Sequence, residues 1–271
     1  MIIQQPWQQP FIEALQQHLY THEDILALVV FGSAALPEAT IDLWSDVDVL
    51  LVTTDEGLST FFPGIAWLRP LAPIYAYEQH TNDRTHTTRL CFTDMRRADL
   101  VFMTAAALKQ QDQAKFWQPG RVIFSKVPAV TEQLLKANSA PSFSLPSPAE
   151  FERIVEQFWY RSTFAIYKVI REDWLIAWHL SLELIQDCCV LGMMLRDRRE
   201  QTNHHRSGGM GNNLVAQLPT FPESYSATAI LEVIAQTAVL FDDLAGQWSE
   251  AYEGRKRPLL AWIQSLIGDS E

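Results

Sequence analysis

Cysteine is scarce in this chain: Cys91, Cys188 and Cys189 are its three. They include no C-x-x-C pair and fit no disulfide framework. Cys188 and Cys189 lie inside an apolar helical run and read as core residues. Basic residues are also in short supply. Lys and Arg number 21 against 32 Asp and Glu, a formal net charge of −11, and acids exceed bases in both halves. Nucleic-acid binding depends on Lys and Arg neutralising phosphates. This balance therefore argues against a nucleic-acid partner and for a small cationic one. A long uninterrupted apolar run is missing as well. The most apolar stretch, Trp174 to Leu195, is broken by His179, Glu183 and Asp187, which predicts a buried helix rather than a membrane span. The opening MIIQQPWQQP has neither the basic start nor the apolar core of a signal peptide, so the expected location is the cytoplasm.

What the chain does have is an ordinary hydrophobic share, 48% of 271 residues, enough for one large domain or two modest ones. One stretch, Val29 to Thr53, organises the rest. Leu26 to Phe31 is an unbroken, β-branched-rich run that suits a buried strand. Gly32-Ser33 ends it; glycine lets backbone N–H groups approach a ligand, and serine adds a hydroxyl donor. Asp46 and Asp48 then flank Val47 at the mouth of a second strand, Val47 to Val52. Residues i and i+2 of a strand share a face, so both carboxylates point one way while Val47 faces the core. Two carboxylates that close repel each other unless a cation sits between them. Oxygen ligands favour Mg²⁺, and donors at Gly32-Ser33 suit the phosphates that Mg²⁺ accompanies. The stretch reads as a metal–triphosphate site.

Around it, Phe11, Ile12, Leu15, His18 and Leu19 recur at helical spacing. Ile74 to Gln79, Arg89 to Phe92 and Ala98 to Met103 read as strands, Leu108 to Trp117 as a helix and Arg121 to Ser125 as a short strand. Residues 137–148, rich in proline and serine, form the boundary, dividing the chain into domains 1–136 and 149–271. Ser147-Pro148-Ala149-Glu150 then makes a strong helix start. A long helix follows, with Phe151, Ile154, Val155, Phe158, Ser162, Ala165, Ile166 and Val169 on one face. A second runs from about Glu172 to Arg198, with Leu175, Trp178, Leu182, Ile185 and Cys189 as its expected core stripe and His179, Glu183, Gln186 and Asp187 as a polar line. Helices over about Ser224 to Tyr252 and Pro258 to Ile267 complete the second half. The expected architecture is an α/β domain with a mixed sheet followed by an all-α bundle.

An apolar strand, Gly32-Ser33, about a dozen residues and then Asp46-Val47-Asp48 resemble the signature of the DNA polymerase β-like nucleotidyltransferase superfamily over roughly residues 24 to 104. The two-part layout is similar to that of aminoglycoside and lincosamide nucleotidyltransferases. The resemblance implies a third carboxylate, offered by Asp99, which with Asp46 and Asp48 would hold two Mg²⁺ ions about 3.5–4 Å apart. It implies ATP as the co-substrate, Gly32, Ser33 and Lys168 as its phosphate contacts, and antibiotic resistance as the setting. The acceptor hydroxyl would bind between the domains; Asp99 and Glu183 are the contenders for its base, with Asp99 favoured for its place beside the metal pair and Glu183 then orienting the acceptor. One departure stands out: Ala34-Ala35-Leu36-Pro37 occupies the place where related enzymes often carry Arg-Gly, so a phosphate contact is either missing or supplied elsewhere, for instance by Arg89, Arg96 or Lys168. Rival readings are a protein-modifying or RNA-tailing nucleotidyltransferase and a non-catalytic nucleotide-binding module. His204-His205 reads as a solvated loop, because no partner stands at zinc-ligand spacing.

Overall fold

The computed structural model describes residues 6–35, 41–110, 120–137, 144–203, 205 and 207–268. The chain divides into two units, Met1–Ser142 and Phe143–Glu271. In the first unit helix α1 (Gln8–Tyr20) precedes β1 (Ile25–Phe31), β2 (Val47–Thr53), the single turn α2 (Leu58–Phe61), β3 (Ile74–Thr81), β4 (His86–Phe92), β5 (Arg97–Thr104), α3 (Ala105–Lys109), β6 (Arg121–Ser125) and α4 (Pro128–Ala137). The helix expected from Leu108 to Trp117 begins at Ala105 instead, and residues 111–119 lie outside the described residues, as do residues 138–143 of the segment 137–148.

The six strands form one mixed sheet in the order β3-β4-β5-β2-β1-β6. Among the described strands only β2 and β5 run parallel, and their register sets Val47 against Ala98 and Asp48 against Asp99. Strand β1 runs antiparallel to β2, so its last residue, Phe31, lies opposite Asp48. Alternation along the strands builds two cores. On one face Val47, Val49, Leu51, Leu100 and Phe102 pack with Phe11, Ile12, Leu15 and Leu19 of α1. On the other, Leu50, Val52, Val101 and Met103 pack with Leu108 of α3 and with Val130 and Leu134 of α4. Asp48 and Asp99 belong to this second face, by the two-residue period.

The second unit is helical: α5 (Pro148–Ile170), α6 (Trp174–Glu200), α7 (Gly211–Val215), α8 (Ala227–Trp248) and α9 (Lys256–Gly268). Helix α5 starts with a full capping box. Ser147 Oγ accepts from the Glu150 backbone, and Glu150 accepts from the Ser147 backbone. Stacked rings of Phe158 and Phe241, 3.6 Å between centroids, join α5 to α8. Buried Asp242 accepts hydrogen bonds from the Tyr252 hydroxyl and the Arg255 backbone, which leaves it satisfied.

Helix α6 departs from expectation. Its buried residues are Ala177, Leu180, Ser181, Leu184, Cys188 and Leu191, whereas Leu175 is 80% and Leu182 is 38% exposed. The stripe through Leu175, Leu182 and Cys189 is therefore displaced around the helix. Apolar residues surround α6 on every side, so periodicity alone does not select a face. By length and composition α6 could also cross a membrane, with a third of its apolar window buried. Its packing is that of a bundle helix: Leu184 and Cys188 share a core with Phe158 of α5 and Phe241 of α8.

Leu184→Ala should cost about 2–5 kcal/mol of unfolding free energy, and Leu175→Ala no more than about 0.5 kcal/mol. Urea titrations of the two variants decide it; equal losses would restore the original stripe.

Candidate active site

The chain topology brings three distant segments to one end of the sheet. Parallel pairing aligns the starts of β2 and β5, so Asp48 and Asp99, in register, become neighbours on one face. Asp46 sits just before β2, separated from Asp48 by the fully buried Val47. The antiparallel return of β1 delivers Gly32-Ser33 to the same place as the opening of a short 3₁₀ turn. Gly32 has φ +66°, and a methyl group on it would run into the Asp48 carboxylate. Only glycine meets both demands without strain.

The acids are crowded. Burial, followed by repulsion from Asp46 and Asp99, pushes the Asp48 carboxyl up to about 7. Burial, then Asp46, also raises Asp99, against the opposing pull of Arg89 and Arg97. The two arginines answer the negative charge directly. Arg97 Nη2 lies 2.7 Å from Asp46 Oδ2, and Arg89 Nε lies 3.1 Å from Asp99 Oδ2. Arg89 is held from behind as well, its Nη1 2.9 Å from Glu78 of β3. Glu78, Arg89, Asp99 and Asp48 thus form a ladder across four adjacent strands, each directly opposite the next. Arg96 turns elsewhere, pairing with Asp94 and lying over the Trp7 ring.

In the second unit, Arg161 of α5 binds both Glu183, at 2.8 Å, and Asp187 of α6. His179 Nε2 is 3.3 Å from Glu183. Burial raises the Asp187 carboxyl, and Arg161 opposes it. Lys168 pairs with Asp173 at 2.8 Å and lies over the Phe164 ring. Gln186 is exposed. His205, expected in a solvated loop, is instead enclosed, with Asp197 2.7 Å and Glu200 3.0 Å from its two ring nitrogens.

Among the described residues no group of three or more His, Cys, Asp or Glu side chains is arranged as the ligand set of a metal ion; Asp46 and Asp99 each turn an oxygen to an arginine instead. The donors themselves fit a hard divalent cation. They are all carboxylate oxygens, and burial first, then their mutual repulsion, pushes the Asp48 carboxyl up to about 7. Arg97 went unnoticed in the sequence, although its position two residues before Asp99 places it on the same strand face.

A family model described as streptomycin adenylyltransferase matches residues 8–198. No curated protein matches the chain. Among solved structures, an aminoglycoside 6-adenyltransferase from Bacillus subtilis is 12% identical, with 97% of this chain and 99% of that chain covered, at a TM-score of 0.37. A nucleotidyltransferase-like protein from Exiguobacterium sibiricum is 11% identical, with 88% and 77% covered, at a TM-score of 0.33.

An acid whose folded pKa lies above its unfolded one keeps its proton longer in the fold. Stability is therefore lost as pH climbs from about 4 to about 7, and the loss is complete above that. In buffer containing chelator, Asp48→Asn should be more stable than the parent at pH 8 by a few kcal/mol, because each tenfold change in proton affinity is worth about 1.4 kcal/mol. The advantage should shrink to nothing near pH 4. Thermal melts across that range check it. An Asn variant no more stable at pH 8 would contradict the crowding.

Proposed function

The chain belongs to the streptomycin adenylyltransferase family, and from that premise we propose that it transfers the adenylyl group of ATP to a hydroxyl of a small cationic acceptor of the aminoglycoside type. The observation that carries this reading is the in-register pairing of Asp48 with Asp99 beside the Gly32 turn, inside the span that the family model matches.

In the proposed reaction the acceptor oxygen attacks the α-phosphorus of ATP. A new oxygen–phosphorus bond forms, the bond to the β-phosphate oxygen breaks, and pyrophosphate leaves. Asp46, Asp48 and Asp99 are the residues that would hold Mg²⁺, which when bound offsets the charge developing on phosphate oxygens. Gly32 and Ser33 donate backbone N–H and hydroxyl to the phosphates. Asp99 receives the acceptor's proton. Arg89, braced by Glu78, fixes the orientation of Asp99. Most of the remaining contribution is positioning.

The family resemblance is the ground for assigning Lys168 to the triphosphate and Glu183 to the acceptor; within the second unit Lys168 pairs with Asp173 and Glu183 with Arg161. The net charge of −11 favours a polycationic acceptor, whose affinity then falls as salt rises.

Pyrophosphate release with ATP and Mg²⁺, measured across streptomycin and other aminoglycosides, lincosamides and purified proteins, tests the proposal. Release is expected with an aminoglycoside; release with proteins alone would overturn it. With the working acceptor, Asp99→Asn should lower kcat by at least about 100-fold with ATP binding largely kept, and Glu183→Gln should chiefly raise KM for the acceptor. Loss of the chemical step in Glu183→Gln but not in Asp99→Asn would exchange the two roles.

A further inference from the structure

Arg97 stands apart from its neighbours Arg89 and Arg96. It opens β5 two residues before Asp99 and lies beside Ala98, whose partner across the parallel pair is Val47. That register brings Arg97 level with Asp46, and its Nη2 reaches the Asp46 carboxylate at 2.7 Å. The Arg97 side chain is 63% exposed, so neither packing nor depth locks it in place. Arg89 differs, because two acids from the strands on either side of it, Glu78 and Asp99, hold it. Arg96 differs too, because it points to Asp94 and Trp7.

We propose that Arg97 is an exchangeable counter-ion of the acid cluster: it binds Asp46 while no divalent cation is present and moves to the triphosphate of the nucleotide when one is. The inference rests on the reading of these acids as a metal–triphosphate site. An exposed ion pair such as Arg97–Asp46 is weak and is given up at little cost. Three acids at one end of the sheet require positive charge, and Arg97 supplies part of it through its contact with Asp46. Once the carboxylates are neutralised by a doubly charged ion, the guanidinium loses its attraction there. It then stands beside the place where phosphate oxygens arrive, with a planar fork suited to bind two of them. Arg97 thereby couples the two binding events. It competes with the metal when the metal comes alone, and it favours metal and nucleotide together. Such coupling is reciprocal.

Calorimetric titrations of Mn²⁺ alone, and of an ATP analogue with a non-hydrolysable α,β bridge with and without Mn²⁺, test the proposal in the full-length parent, Arg97→Gln and Arg97→Lys. Arg97→Gln should bind Mn²⁺ alone more tightly, by about threefold. It should bind the analogue in the presence of Mn²⁺ more weakly, by roughly tenfold. Arg97→Lys, which keeps the charge without the fork, should fall between for the analogue. If the parent shows metal-dependent analogue binding and Arg97→Gln leaves both affinities unchanged or lowers both together, the exchange is overturned while the metal–triphosphate reading survives. If the parent binds the analogue equally with and without Mn²⁺, both are overturned.

Discussion

Mutual repulsion among Asp46, Asp48 and Asp99 is the constraint on which the rest of the first unit turns. Burying like charges side by side costs stability unless something positive shares the space. The sheet creates that cost by its topology, since only the parallel pairing of β2 with β5 sets Asp48 directly against Asp99. It then relieves part of it from the neighbouring positions. Arg89 reaches in from β4 with Glu78 behind it, and Arg97 reaches Asp46 from the start of β5 itself. Burial, and after it repulsion from Asp46 and Asp99, drives Asp48 up to about 7 against the pull of both arginines. Strain of this kind concentrates where function needs it.

Gly32 belongs to the same economy of space. Its positive φ turns the chain at the end of β1, and its missing side chain leaves room for the Asp48 carboxylate. The donors that suit phosphate and the acids that suit a metal are therefore set side by side by the hydrogen-bonded register of β1, β2 and β5, which the hydrophobic cores on both faces hold in place.

Much of this was legible in the residues because strands repeat every two positions. Asp46 and Asp48 could be assigned to one face from spacing alone, and the apolar runs of β1 and β2 marked their own burial. Register could not be read that way. Arg97 escaped notice because its meaning depends on which residue of β2 lies opposite it, a fact of pairing rather than of local sequence. Helix α6 shows a different limit. Its apolar residues lie all round it, so nothing local distinguished Leu184, wholly buried, from Leu175, largely exposed. The α5 start was readable to the residue, because Ser147, Pro148 and Glu150 each act within one turn. Lys168 and Glu183 lie between these cases. Their helices were evident, but the partners that engage them, Asp173 and Arg161, follow from rotamers and helix packing.

The central claim, that this acid cluster serves adenylyl rather than phosphoryl transfer, meets its most direct test in isotope partitioning. The protein would be incubated with Mg²⁺, streptomycin or another accepted aminoglycoside, and ATP labelled at either the α- or the γ-phosphate. The account predicts that α-label appears on the acceptor and γ-label leaves as pyrophosphate, with both lost in Asp48→Asn. γ-Label on the acceptor would contradict it.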